Sequence, residues 1–364
     1  MMMRLFFHKT WKTSIAPMWE WPNGKLMLIP VCTTWAVWLL LLVEHMINLA
    51  HVQDYVMRFQ ALYARILLVF PVIISLIYIA ACFPWGQIWI DFLVAILEAY
   101  CLVMLFALEL GFAHILFSHE KIMETLLNSR ATNRLFIIFG RKFETTEQVF
   151  NHHKWVVYQT ILFRPLPYLI KAILIQVLGN LPKYGHVLLR VVATISLVLA
   201  VLAIIRIYLC LHWSPDRPIS RRGYGFRNKF IMVKVLFLII VLNNLIVLPL
   251  IAARIIPVKG WFCTPDTLAG FASHCQSRLQ DVIVIIELSI VMVPTAFFYR
   301  PFGLRKTTTE GHPSRCSFLV CIFFRITDVT CFINGTMIEQ LIVSVDTMSE
   351  DLKEKVLEDV EEAV

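Results

Sequence analysis

Apolar residues fall into seven runs, near 28–50, 62–83, 88–110, 161–180, 186–211, 230–256 and 281–299, divided by polar or turn-forming segments. A bilayer core about 30 Å thick is crossed by a helix of about 20 apolar residues, so each run predicts a transmembrane helix. Only Pro84-Trp85-Gly86-Gln87 divides the second run from the third, a turn signal that predicts a tight antiparallel hairpin. The fourth run is interrupted by Arg164, Pro165, Pro167 and Lys171. Beyond 305 the pattern changes. "CSFLVCIFFRITDVTCFI", residues 316–333, is apolar but short and broken by Arg325 and Asp328, so it lies at the interface or packs on the bundle rather than crossing. The ending "SEDLKEKVLEDVEEAV" opens on a Ser cap and an acidic first turn and gathers Leu352, Val356, Leu357 and Val360 on one side, the pattern of a solvated acidic helix. The expected fold is all-α and multi-pass, with seven transmembrane helices over 28–304, an N-terminal segment 1–27 and a tail 305–364.

Composition agrees with a bilayer setting: 59% of residues are hydrophobic, 16% are charged, and mean hydropathy is +0.72, whereas soluble domains carry about a quarter charged residues. The formal charge of +8 does not indicate nucleic acid, because basic residues in membrane proteins collect in cytoplasmic loops. The loop 111–160 holds Lys121, Arg130, Arg134, Arg141, Lys142 and Lys154, and the loop 212–229 holds Arg217, Arg221, Arg222, Arg227 and Lys229. Both share a side with Arg300, Arg305 and Lys306, while the opposite loops at 84–87 and 181–185 offer Lys183 alone. The C-terminus is therefore expected in the cytoplasm and the N-terminus outside, against the weaker pull of Arg4, Lys9, Lys12 and Lys25. The first 25 residues contain only a two-residue Phe run between basic positions, so the first span rather than a cleavable signal is expected to do the targeting. Cys263 and Cys275 fall in the last outer loop, where an oxidising compartment allows a disulfide. The sequon Asn334-Gly335-Thr336 falls in the cytoplasmic tail and is expected to stay unmodified.

The third run, "IWIDFLVAILEAYCLVMLFALEL", is apolar yet carries Asp91, Glu98 and Glu109. At 100° per residue, Glu98 stands about 20° from the line of Asp91 and Glu109 returns to it, so the three acids share a stripe. A carboxylate deep in hydrocarbon costs at least a few kcal/mol and is seldom kept without use. The end residues Asp91 and Glu109 can reach headgroups or water, which leaves Glu98 as the deep acid, serving either an interhelical hydrogen bond or a polar pathway. Arg164 and Lys171, also seven apart, form a complementary stripe able to pair with the acids, although Arg164 stands where snorkelling to the interface is favoured. Asn243 and Asn244 in the sixth run and Glu287 in the seventh add interior polar groups, together suggesting a hydrated or amphipathic-ligand groove. No Gly-rich phosphate loop, nucleophile elbow or zinc-type Cys/His spacing occurs; the adjacent His152 and His153 sit in a cytoplasmic loop, and His114 and His119 face different ways on a helix. No enzyme, cofactor or metal site is expected.

Residues 71–106, "PVIISLIYIAACFPWGQIWIDFLVAILEAYCLVMLF", resemble the second and third spans of the organic solute transporter alpha-subunit family, with its Pro-initiated helix, short Pro-containing turn and Glu-Ala-aromatic core, here Glu98-Ala99-Tyr100. "RNKFIMVKVLFLIIVL" at 227–242 resembles the family's Lys-Phe-containing start of the sixth span, with Lys229, Phe230 and Lys234 in place. "CTPD" at 263–266, the second Cys at 275 and "VIIELSI" at 284–290 resemble the last outer loop and seventh span. The likeness covers roughly 60–300. It implies a seven-helix subunit in the cell membrane that moves amphipathic organic solutes, such as bile-acid-like steroids and their conjugates, by facilitated diffusion, without a nucleotide. It also implies a single-pass beta subunit as partner and leaves oligomerisation open. The solute contacts expected on this basis are Glu98 first, then Asp91, Lys171, Lys234, Asn243, Asn244 and Glu287. Related members carry a Cys-rich cluster after the third span; "METLLNSRATNRLFIIFGRKF" has none, so lipid anchoring of that loop is not expected.

Two other functions fit a chain of this shape. A trafficking or scaffolding membrane protein of the same superfamily would show no solute flux. A G-protein-coupled receptor would share the helix count, but the third span ends "ALELGF" without an Asp/Glu-Arg-Tyr signature and the seventh ends "VPTAFFYRPF" without Asn-Pro-x-x-Tyr.

Overall fold

The structure, a computed structural model, describes residues 24–49, 54–83, 86–116, 146–178, 183–212, 268–300, scattered positions between 231 and 250, and 318–322 apart from Cys321. The described residues are helical, with no strand among them. A 3₁₀ turn at Gly24–Met27 leads into α1 (Leu28–Asn48), followed by α2 (Asp54–Cys82) and α3 (Gln87–Leu116). Next come α4 (Thr146–Tyr158), the single turn α5 (Thr160–Phe163), α6 (Leu166–Leu178) and α7 (Lys183–His212). A π-helical turn spans Asn243–Val247, and α8 covers Leu268–Phe298.

Length and composition explain this architecture. Within lipid every backbone N–H and C=O must find its partner inside the segment, which a long apolar helix provides. Five helices among the described residues meet that requirement, over Gly24–Asn48, Gln60–Cys82, Trp89–Glu109, Val191–Tyr208 and Leu279–Phe298. The chain is thus a helical membrane protein. The fourth apolar run is divided among shorter pieces, and much of the sixth lies outside the described residues.

The spine is the α2–α3 hairpin, closed where Gly86 N–H donates to Phe83 O at 2.9 Å. On one flank α1 and α8 pack against α2; on the other α4, α6 and α7 pack against α3. The indole of Trp38 donates to Ala64 O at 3.0 Å and that of Trp35 to Ser75 Oγ at 2.9 Å, tying α1 to α2. Tyr63, Phe70, Leu102, Phe106, Leu197 and Leu288 fill the shared core. The outward faces are as apolar as the interior: Leu40 is 71% exposed, Val177 74% and Ile290 66%. In water such continuous faces would cost about 25 cal/mol for each Å², so their natural solvent is acyl chain.

Several expectations change here. α8 begins at Leu268, well before the apolar run at 281, so Cys275 stands on a helix rather than in a loop. Cys263, and with it the disulfide, lies outside the described residues. His152 and His153 stand on α4 with ring centroids 6.0 Å apart, and His153 is buried rather than solvated, because α4 lays that face against α7. Of the two places open to the tail segment, its described residues take the bundle: Phe318 and Ile322 are fully buried in the main core.

Candidate functional site

α3 places Asp91 and Glu98 two turns apart, and α6 with its lead-in places Lys171 and Arg164 at the same separation. The helices pack side by side, so the two stripes meet rung by rung. Arg164 Nε donates to Glu98 Oε2 at 2.8 Å and Nη2 approaches the same oxygen at 2.6 Å. Both residues are buried, which corrects the expectation that Arg164 snorkels away from the bundle. One rung higher, Lys171 Nζ meets Asp91 Oδ2 at 3.4 Å, a looser pair with both side chains partly exposed.

The chain between α5 and α6 explains how Arg164 comes to be held there. Pro165 and Pro167 lack the N–H that would continue the helical ladder. The ladder is stitched around them: Arg164 N–H donates to Thr160 O at 3.0 Å, and Pro165 O accepts from Tyr168 and Leu169, each at 3.0 Å. Arg164 keeps helical dihedrals through the break. The same stitching sets Tyr168 one turn on, with its ring 5.5 Å from the guanidinium carbon, where the π face favours the cation.

A second polar pair comes from the opposite side of the bundle. Asn243, in the π-helical turn, donates through Nδ2 to Glu287 Oε2 of α8 at 2.5 Å. A π turn inserts one residue into the helical ladder, a distortion frequent at functional sites. Between the two constellations lies a cavity of about 110 Å³. Its polar wall is formed by Asp91, Glu98, Arg164, Tyr168, Asn243 and Asp281, and its apolar wall includes Ile73, Ile77, Val284 and Leu288.

Of the residues singled out from the sequence, Asp91, Glu98 and Asn243 therefore converge on one cavity, with Lys171 and Glu287 as the partners of two of them. Glu109 does not reach headgroups or water; it is fully buried, four residues beyond Leu105 on the crowded part of α3. Asn244 belongs to the π turn, its side chain outside the described set, and Lys234 lies outside the described residues. Arg164 proves central, and Tyr168, Gln280 and Asp281 also line the cavity without having been singled out. Gln280 and Asp281 were signalled by their spacing, three to eight residues before the cavity-lining Val284 and Leu288 on one helical face. Among the described residues no group of three or more His, Cys, Asp or Glu is arranged to hold a metal. The arrangement offers hydrogen bonds and paired charges beside an apolar wall.

No curated protein and no solved structure matches the chain. The family model described as "Organic solute transporter Ostalpha" matches residues 26–302, reaching back beyond the likeness at 60–300 to include α1. With about three quarters of its length matched to that model, this chain belongs to the organic solute transporter alpha family.

Proposed function

We propose that the chain carries amphipathic organic solutes, bile-acid-like steroids and their conjugates among them, across the cell membrane by facilitated diffusion. Membership of a solute transporter family supports the transport role. The observation that carries the finer reading is the mixed lining of the cavity, with polar groups from Asp91, Glu98, Arg164, Tyr168, Asn243 and Asp281 and an apolar wall that includes Ile73, Ile77, Val284 and Leu288. An amphipathic molecule has the matching pair of faces. Asp91, Glu98 and Asn243 are the solute contacts in this reading, Lys171 and Glu287 hold them in place, and Lys234 and Asn244 are further contacts proposed from the sequence.

The space of about 110 Å³ is smaller than the roughly 300–1,000 Å³ of a pocket that encloses a drug-sized ligand. In this reading the solute lays one edge into the cavity and keeps its body along the apolar wall or in lipid. Glu98 and Asp91 are each matched by a basic side chain, so neither asks for a bound counter-ion as the solute passes, and no nucleotide is needed. The topology that goes with it has seven spans, the N-terminus outside and the C-terminus in the cytoplasm, as the basic loops favour. A single-pass beta subunit is the proposed partner.

Flux of a labelled steroid conjugate into vesicles tests this, first with the chain alone and then with a single-pass partner. Saturable flux in either condition that is independent of ATP and of ion gradients is expected. Absence of flux in both would favour a scaffolding role.

A further inference from the structure

Two buried polar atoms of cavity-lining residues are left over once the pairs are made. Arg164 commits Nε and Nη2 to Glu98, and its buried Nη1 has no hydrogen-bond partner. Asn243 commits Nδ2 to Glu287, and its buried Oδ1 has none either. The amide cannot gain by flipping, because that would turn its oxygen toward the Glu287 carboxylate. Both residues line the same cavity, one contributing a spare donor and the other a spare acceptor. Buried groups of this kind are normally satisfied, and leaving them bare is costly.

The chemistry of what satisfies both is restricted. A carboxylate or sulfate accepts but does not donate, so it answers Arg164 and not Asn243; it would also sit beside the carboxyl groups of Asp91, Glu98 and Asp281. A metal ion or an ammonium group answers Asn243 but offers nothing to the spare N–H of Arg164 and meets its positive charge. A neutral hydroxyl does both, accepting from Arg164 Nη1 and donating to Asn243 Oδ1.

We propose that the cavity between α3, α6 and α8 recognises a hydroxyl group on the solute, which spans Arg164 and Asn243, while the anionic group of the solute stays outside it. This rests on the transport reading and adds to it which part of the solute is read. A water molecule offers the same chemistry and fits a space of this size, so water occupies the site between transport events and the solute hydroxyl displaces it.

The test is flux of two sulfate-conjugated steroids of one skeleton, with and without a single ring hydroxyl, in vesicles holding the full chain and its partner subunit. The hydroxylated conjugate is expected to show a KM roughly three- to tenfold lower, the range for one net hydrogen-bonded group. Asn243→Leu is expected to bring the ratio of the two KM values to unity. The ratio is read within each protein, so a general loss of flux in the variant does not mimic that result, and the wild-type ratio stands without any variant. Equal KM values in the wild type overturn the hydroxyl contact and leave the transport reading standing. A ratio that persists in Asn243→Leu overturns the assignment to this cavity. Absence of flux for both conjugates overturns the transport reading, and the hydroxyl contact with it.

Discussion

A guanidinium withdrawn from water costs several kcal/mol, and at Arg164 that cost is offset by one carboxylate and one aromatic face. The intact pair therefore adds little net stability, whereas removing one member is costly. Glu98→Gln or Arg164→Met alone leaves a charge buried without its partner and is expected to lower stability by about 3–5 kcal/mol, read as the melting temperature in detergent. Glu98→Leu combined with Arg164→Met removes both charges and is expected to recover most of that loss while flux stays low, since the polar wall is gone. Flux at the wild-type level in the double variant would take the pair out of the pathway. Asp91 and Lys171 make a useful contrast, because their 3.4 Å contact keeps 29% and 18% side-chain exposure. Lys171→Met is expected to change stability by less than about 1 kcal/mol. The two rungs look alike in the sequence, each a charge seven residues from its neighbour, and what separates them is depth, which spacing does not encode.

At the scale of elements, hydropathy and spacing revealed different things. Runs of apolar residues located α1, α2, α3, α7 and the second half of α8, because a helix that faces lipid must be apolar along a whole bilayer width. They missed α4 and the start of α8, whose polar faces dilute the signal. Helical periodicity recovers α4: Phe150, His153 and Val157, spaced three and four apart, are buried among its described side chains. The opposed stripes on α3 and α6 were legible from the seven-residue spacings, and their pairing followed once the helices packed together. The cavity was not, since Asn243 enters it through a π turn and Asp281 through a helix that begins earlier than the apolar run. The break at Pro165 and Pro167 was visible in the sequence, but not that Arg164 would keep helical dihedrals across it. That observation makes a prediction. Pro165→Ala restores an N–H without asking Arg164 to move, so gain and loss nearly cancel and stability is expected to change by less than about 1 kcal/mol, with flux retained. A large loss of flux at unchanged melting temperature would show that the proline, not the helix register, sets the angle of the guanidinium.

Over the whole molecule, the C-terminal part of the described chain is drawn onto the bundle. Arg300, just beyond α8, donates through Nε to both carboxylate oxygens of Glu44 on α1, each at 2.9 Å, and Phe318 packs its ring 6.5 Å from that of the buried His45. The family match stops at 302, yet Phe318 is a core residue, so Phe318→Ala is expected to lower stability by about 3–5 kcal/mol, again read by melting. These contacts gather the ends of α1 and α8 that carry Glu44 and Arg300 on one side of the proposed membrane, and the proposed topology assigns that side by charge. Moving basic loops across a bilayer is disfavoured, and the loops at 111–160 and 212–229 hold six and five Lys and Arg, eleven together. The tail with Asn334 accompanies them into the cytoplasm in the proposed topology, whereas the segment around 265, at the opposite end of α8, faces outside. Glycosylation reads this directly, because the sugar is added only on the outer side. The natural sequon at Asn334 is expected to remain bare in cells. Pro265→Asn completes a sequon with Asp266 and Thr267 and is expected to produce a shift in gel mobility that a glycosidase removes. Sugar on Asn334 with none at position 265 would reverse every loop assignment and place the α1 and α8 ends with Glu44 and Arg300 outside the cell.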